Sequence, residues 1–145
     1  MKNKIMTTPL RIIDHPQGDI YHAMKNIDAG YIKFGEAYFS TIKPNLVKGW
    51  KMHKKMTLNI IVPLGIVKFV IIKDIKKQIN KKNIFEVELS RSNYQRLTIP
   101  PKYWVAFQCT SSIDSLILNI ADIKHDPDEI ERLDIDKIDY NWKIN

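Results

Sequence analysis

Two apolar runs, Leu58–Leu64 and Ile66–Ile72, are separated by nothing but Gly65. No other feature limits so strongly what this chain can fold into. Both runs are dominated by Ile, Val, Leu and Phe. Branching at Cβ favours extended backbone, where such side chains pack well on a pleated surface. Each run is far too short for a helix that crosses a bilayer, which needs about 20 residues. They therefore read as buried strands. The lone glycine reads as a tight turn joining two paired strands.

The rest of the pattern is also mostly β. Tyr31–Ile42 is rich in aromatic and β-branched residues and reads as one or two strands. Ile84–Leu89 sets Ile84, Glu86 and Glu88 against Phe85, Val87 and Leu89, the alternation of a half-buried strand. Arg96–Ile99, Trp104–Cys109 and Ser115–Ala121 are further short strands. Pro100 and Pro101 cannot donate to a ladder and mark a bend at a rim or an edge. The lysine- and asparagine-rich stretch Lys73–Asn83 reads as a solvated hairpin tip. Asp126-Pro127-Asp128-Glu129 predicts a helix that runs to about Leu133. Asp126 suits its N-cap, Pro127 its first position, and the acidic turn its dipole. Tyr140 and Trp142 are expected to tuck against the strands. Short strands at 8–12-residue spacing make an all-β sandwich or barrel. The 145 residues fit one domain over 1–145, with an N-terminal extension of about 1–29.

Composition excludes several classes of function. The single cysteine, Cys109, has no internal disulfide partner and no metal-ligand spacing, so it reads as a core residue in a reducing, cytoplasmic setting. The charged N-terminus is followed by no apolar stretch of a signal peptide, and no run is long enough for a membrane span. The net charge is +7 and unevenly spread: residues 122–145 carry eight acidic and four basic side chains, leaving 8 acidic and 19 basic in residues 1–121. That surplus favours an anionic partner. The charge does not choose among nucleic acid, acidic lipid and a phosphorylated small molecule, but with no recognition helix, zinc finger or aromatic RNA-binding signature, nucleic acid is not expected as partner, and no membrane is expected either.

Several short motifs occur in order: Phe34-Gly-Glu-Ala-Tyr-Phe-Ser40, Lys48-Gly-Trp50, the Gly65 turn, Asp74-Ile-Lys76, Leu89-Ser with Asn93, Ile99-Pro-Pro101, and Trp142. Together they resemble the dTDP-4-dehydrorhamnose 3,5-epimerase family of cupins over about residues 30–142. The resemblance implies a cupin jelly-roll barrel, here with the short C-terminal helix, that forms a homodimer and needs no cofactor. It implies a sugar nucleotide as ligand and a place in making deoxysugars for surface polysaccharide, as in lipopolysaccharide. The family removes a proton beside a 4-keto group and returns it on the other face, which takes a base and an acid.

Both catalytic positions are substituted here. Aligned on Gly49-Trp50, Lys51 falls on the family's basic histidine and Lys48 on its arginine. Asn119 lies near the family's acidic tyrosine. The aspartate that orients the histidine would correspond to Asp134 or Asp136. Lys48 and Glu36 are expected to help hold the nucleotide diphosphate, and Tyr103, on the Pro-Pro bend, to line the pocket mouth.

On a strand, Lys51 alternates away from Trp50 and Met52 and shares a face with His53. Lys51, desolvated beside other cations, would serve as a base, as a Schiff-base amine or as a phosphate grip. His53 is either a displaced base or an ordinary polar strand residue. His125 precedes Asp126-Pro127 and sits near Asp122, and such a His–carboxylate pair reads as a cap or surface contact rather than a catalytic pair. Tyr38, Phe39, Trp50, Tyr103 and Trp104 divide between core and stacking roles. A metal-binding cupin would need more histidines than this segment has, so no metal is expected. Three functions stay open: an epimerase or isomerase of a 4-keto sugar nucleotide, a non-catalytic cupin that binds a sugar nucleotide or a partner enzyme, and a sugar 3,4-ketoisomerase, which would need two histidines.

Overall fold

A computed structural model describes residues 3–77, 80 and 82–143. Its strands are β1 (Met6–Pro9), β2 (Ile12–Ile13), β3 (Ile20–Tyr21), β4 (Glu36–Ile42), β5 (Val47–His53), β6 (Leu58–Leu64), β7 (Ile66–Ile72), β8 (Ile84–Ser90), β9 (Gln95–Ile99), β10 (Trp104–Cys109), β11 (Ser115–Ala121) and β12 (Ile130–Arg132). Two five-stranded antiparallel sheets face each other as a jelly roll. One runs β1-β9-β6-β11-β4 and the other β12-β5-β10-β7-β8, while β2 and β3 form a small separate ribbon.

The two apolar runs are strands, but they do not pair with each other. β6 is central in the first sheet and β7 lies in the second. Gly65 is therefore the corner at which the chain changes sheets. Its φ is +81°, and a Cβ there would lie 2.1 Å from Ser115 Oγ and 2.7 Å from Ser115 Cα. Only glycine combines that backbone with that closeness. The Pro100-Pro101 bend works the same way, since β9 and β10 also belong to different sheets.

Both runs lack alternation because both of their faces are covered. Inside, Leu58, Ile60 and Val62 meet Val67, Phe69 and Ile71 between the sheets, with Leu97, Ile99, Val105 and Ile117. Outside, Val70 and Ile72 form a second cluster with Trp50, Trp104, Ala106 and Ile138, flanked by Tyr140 and Trp142. The C-terminal segment thus straps the second sheet, as expected for its two aromatics. The N-terminal segment straps the first. Arg96, fully buried on β9, donates from Nη1 to Ala23 O and Asp28 Oδ2 and from Nη2 to Ala29 O, at 2.8, 3.1 and 2.8 Å. Asn59 Nδ2 reaches Gly30 O at 3.1 Å.

Two boundaries differ from expectation. The helix expected from Asp126 to Leu133 is a 3-10 turn, Pro127–Glu129, followed by β12. The cap is present, with the Asp126 side chain accepting from Asp128 N. Propagation fails because a lone short helix is marginal, while Ile130, Glu131 and Arg132 gain ladder partners in His53, Met52 and Lys51. Of the stretch Tyr31–Ile42, only Glu36–Ile42 is strand. Within residues 1–29, Met6–Pro9 pairs with β9. The loop Lys73–Asn83 joins the paired strands β7 and β8, and its residues 78, 79 and 81 lie outside the described ones.

The Gly65 corner yields a test. Gly65→Ala forces a side chain into left-handed backbone and against Ser115. The expected loss is about 2–4 kcal/mol, read as a lower urea midpoint with an unchanged m-value. A loss below about 0.5 kcal/mol would mean that the corner is not constrained as described.

Candidate functional site

A cavity of about 610 Å³ opens between the two sheets. Strand β5 supplies most of its polar wall through an irregularity in its ladder. Against β10 the register jumps from Lys51↔Val105 to Lys48↔Phe107, so Gly49 and Trp50 together oppose one residue. Such a bulge shifts the phase of alternation. Lys48, three residues from Lys51, consequently lines the cavity together with Lys51 and His53. Gly49 permits the bulge: at its φ of +143°, a Cβ would lie 2.4 Å from Ala106 Cβ. Trp50 and Met52 pack into the outer cluster, and Trp50 Nε1 donates to Ile135 O at 3.2 Å.

His53 is buried, and its Nδ1 is hydrogen-bonded to Glu129. The second oxygen of Glu129 accepts from the backbone N–H groups of Lys55 and Met56, at 3.0 and 3.3 Å. This carboxylate does what the resemblance assigns to Asp134 or Asp136. Asp134 lines the cavity, but the carboxylate bonded to His53 is Glu129. The sequence carried a trace of it, since Glu129 ends the capped acidic turn. Only the β12–β5 ladder brings that turn to His53.

Burial pushes the His53 imidazole below its ordinary value, and the nearby cations Lys51 and Arg132 act in the same direction against Glu129. Burial works to raise the Glu129 carboxyl, but hydrogen bonds from His53 and from the Lys55 and Met56 amides hold it below its usual range. The pair is thus a neutral imidazole beside a carboxylate. With its proton on Nδ1, the ring leaves Nε2 as a bare lone pair, the form of a general base.

The first sheet supplies the opposing wall. Asn119, expected near the family's tyrosine, is buried in this wall. Its Oδ1 accepts from Asn59 N at 3.2 Å, so its Nδ2 is the end that donates to Tyr38 Oη, at 3.1 Å. Tyr38 is the direct cross-strand partner of Asn119. The hydroxyl therefore stands one strand over from the place the resemblance indicates. Because its oxygen accepts from the amide, its own proton is left to donate into the cavity. Sequence reasoning counted Tyr38 only as a stacking or core aromatic, because strand pairing cannot be read from one strand.

Among the described residues, four cationic side chains, Lys48, Lys51, Arg132 and Lys137, line the cavity against the single lining carboxylate of Asp134. Arg132 lies directly opposite Lys51 across the β12–β5 ladder. Burial, then the Arg132 charge, pushes the Lys51 amine below its ordinary value, only partly offset by Glu129 and Glu36. Lys48 Nζ is tied to Thr41 O at 2.6 Å. Glu36 starts β4 and reaches the site through that electrostatic effect on Lys51, without lining the cavity. Tyr103 does not line it either. Its hydroxyl donates to Asn3 O at 3.2 Å and its ring packs on the core between the sheets. His125 is exposed, and Asp122 accepts instead from Thr57 N at 2.7 Å.

The depressed values of His53 and Glu129 carry a sign. A group held below its unfolded value stabilises the fold above that unfolded value and loses the contribution as pH falls. Stability is expected to decline below pH 6.5 as His53 lags the unfolded chain, and again below 4.5 for Glu129. Glu129→Ala strands the His53 donor and two backbone donors, costing about 3 kcal/mol or more; it should abolish the decline below 4.5 but steepen the one below 6.5, because Glu129 is what holds the His53 value up. Unfolding midpoints from pH 8 to 4 check both points; an unaltered slope in the variant would dissociate the pair from acid stability.

No protein-family model matches the chain, and no curated protein matches it. Solved structures do. A dTDP sugar isomerase from Desulfovibrio desulfuricans G20 is 32% identical, with 95% of this chain and 90% of that one covered and a TM-score of 0.85. The sugar 3,4-ketoisomerase QdtA from Thermoanaerobacterium thermosaccharolyticum, in complex with TDP, is 20% identical over 96% of this chain and 95% of that one, with a TM-score of 0.73. A dTDP-4-dehydrorhamnose 3,5-epimerase from Sulfolobus tokodaii is also 20% identical, over 94% and 80%, with a TM-score of 0.77. The last two show a shared fold. The first shows that the chain belongs to the dTDP-sugar isomerase and epimerase family of cupins.

Proposed function

We propose that the protein epimerises a dTDP-linked 4-keto-6-deoxyhexose at a carbon beside the ketone. The observation that carries this reading is the Glu129-held His53, with Nε2 bare, on the wall opposite a Tyr38 hydroxyl whose proton is free. Inverting a carbon requires a base on one face of the sugar and an acid on the other. Here the two groups come from different sheets. His53 Nε2 takes the proton, and the charge that develops on the ketone oxygen lies beside Lys51. Tyr38 then delivers a proton to the opposite face. Lys48, Arg132 and Lys137 suit the diphosphate, and Ile60, Phe69, Val105 and Ile117 give the sugar a dry, apolar floor. The exposed Phe34 and Phe39, on and beside the edge strand β4, support the homodimer expected from the resemblance.

The non-catalytic alternative rested on two substituted positions. His53 with Glu129, and Tyr38 with Asn119, supply both functions from other positions, which favours chemistry.

The test is proton exchange. With dTDP-4-keto-6-deoxyglucose in heavy water, NMR should show deuterium entering at C3 or C5. His53→Asn is expected to slow this by about 10²–10⁴-fold. Tyr38→Phe should retain exchange on the His53 face while losing inversion. The wild-type kcat/KM should fall on the acid side with an apparent pKa below 6.5. Binding of this and other 4-keto sugar nucleotides without any exchange would leave the non-catalytic reading in its place.

A further inference from the structure

We propose that Lys51 is a covalent catalyst, its amine forming an iminium with the C4 ketone of the sugar. This rests on the sugar-nucleotide reading above and goes beyond it in assigning the intermediate. Three observations support it. Lys51 lines the cavity two residues from His53 on the same strand, so the amine and the base reach adjacent carbons of one bound sugar. Lys51 is half-buried, and among the described residues no carboxylate lies within 4 Å of its amine and no hydrogen bond holds it. Lys48, by contrast, is tied to Thr41 O. Finally, Arg132 sits directly opposite Lys51. A guanidinium on the residue opposite an amine disfavours the ammonium form and so keeps the lone pair available. The downward shift of Lys51 through burial and Arg132 agrees.

The chemistry balances without an oxidant or a reductant. The Nζ lone pair bonds to C4 while the carbonyl pair moves to oxygen, which takes up a proton. That oxygen takes a second proton from solvent and leaves as water when nitrogen forms the C=N bond. The iminium then acidifies the C3 proton. His53 Nε2 takes it, and the C–H pair becomes the C3=C4 bond of a neutral enamine. A proton from Tyr38 at the other face of C3 restores the iminium. Water adds at C4 and releases Lys51 and the epimeric 4-ketone. Hydrolysis at C4 returns the ketone to C4, so this route gives epimers and not a 3-ketone.

Trapping tests it. The full chain is incubated with dTDP-4-keto-6-deoxyglucose and sodium cyanoborohydride, and its peptides are mapped by mass spectrometry. A stable sugar-nucleotide adduct is expected on the Lys51 peptide. His53→Asn should keep the adduct while losing deuterium exchange, because imine formation precedes proton removal. Lys51→Arg keeps the positive charge but cannot form the imine. It should lose exchange by about a hundredfold or more while nucleotide affinity changes less than about tenfold. Exchange that persists in Lys51→Arg, or wild-type exchange with no adduct on Lys51, overturns the covalent role and leaves the epimerase reading standing. Absence of both exchange and adduct across a panel of 4-keto sugar nucleotides overturns both.

Discussion

The site depends on one buried carboxylate. Glu129 joins three parts of the chain: the end of β5 through His53, the following loop through the Lys55 and Met56 amides, and the C-terminal segment to which it belongs. A buried carboxylate is tolerable only when its oxygens are hydrogen-bonded, and here both are. Its fixed position selects the Nδ1–H tautomer of His53 and turns Nε2 to the cavity. The same anchoring starts β12, which brings Arg132 opposite Lys51. His53 and part of the cationic wall therefore share one structural origin.

The strapped sheets explain why such a site stays in register. Each sheet meets its partner inside and a terminal segment outside. Arg96 holds the N-terminal segment, while Trp50, Ile138, Tyr140 and Trp142 hold the C-terminal one. Trp50 is the sequence neighbour of Lys51, so packing on the outer face sets the Lys51 side chain on the inner face. Strand alternation thus couples the aromatic cluster to the cavity.

Much of the fold was legible because strands follow from local pattern. The β-branched runs, the alternation of Ile84–Leu89 and the punctuation at Gly65 and Pro100-Pro101 are all local signals. Gly65 shows their limit. A glycine between two strands has the same signature whether the strands pair or part, and only the pairing of β6 with β9 and β11 decides. The predicted helix failed for the same reason. Its Asp126 cap was correct, but the partner that captured Ile130–Arg132 lies some 80 residues away in β5. In the site, Lys51 and His53 were legible from spacing on one strand. Glu129 and Tyr38 were not, because both enter across a ladder: Glu129 just before β12, and Tyr38 opposite Asn119.

Two cations face each other in the ladder at Lys51 and Arg132, and like charges directly opposite destabilise a sheet. Lys48 and Lys137 add to the same field. A sequence selected for stability alone would place an acid at one of these positions. The doubly charged diphosphate proposed as ligand would relieve the repulsion, so binding and folding would reinforce each other through linkage. This wall is thereby kept electropositive, and burial and Arg132 hold the Lys51 amine below its ordinary basicity. The instability of this wall and the reactivity assigned to it have the same physical cause: positive charge held partly out of water without matching negative charge from the protein.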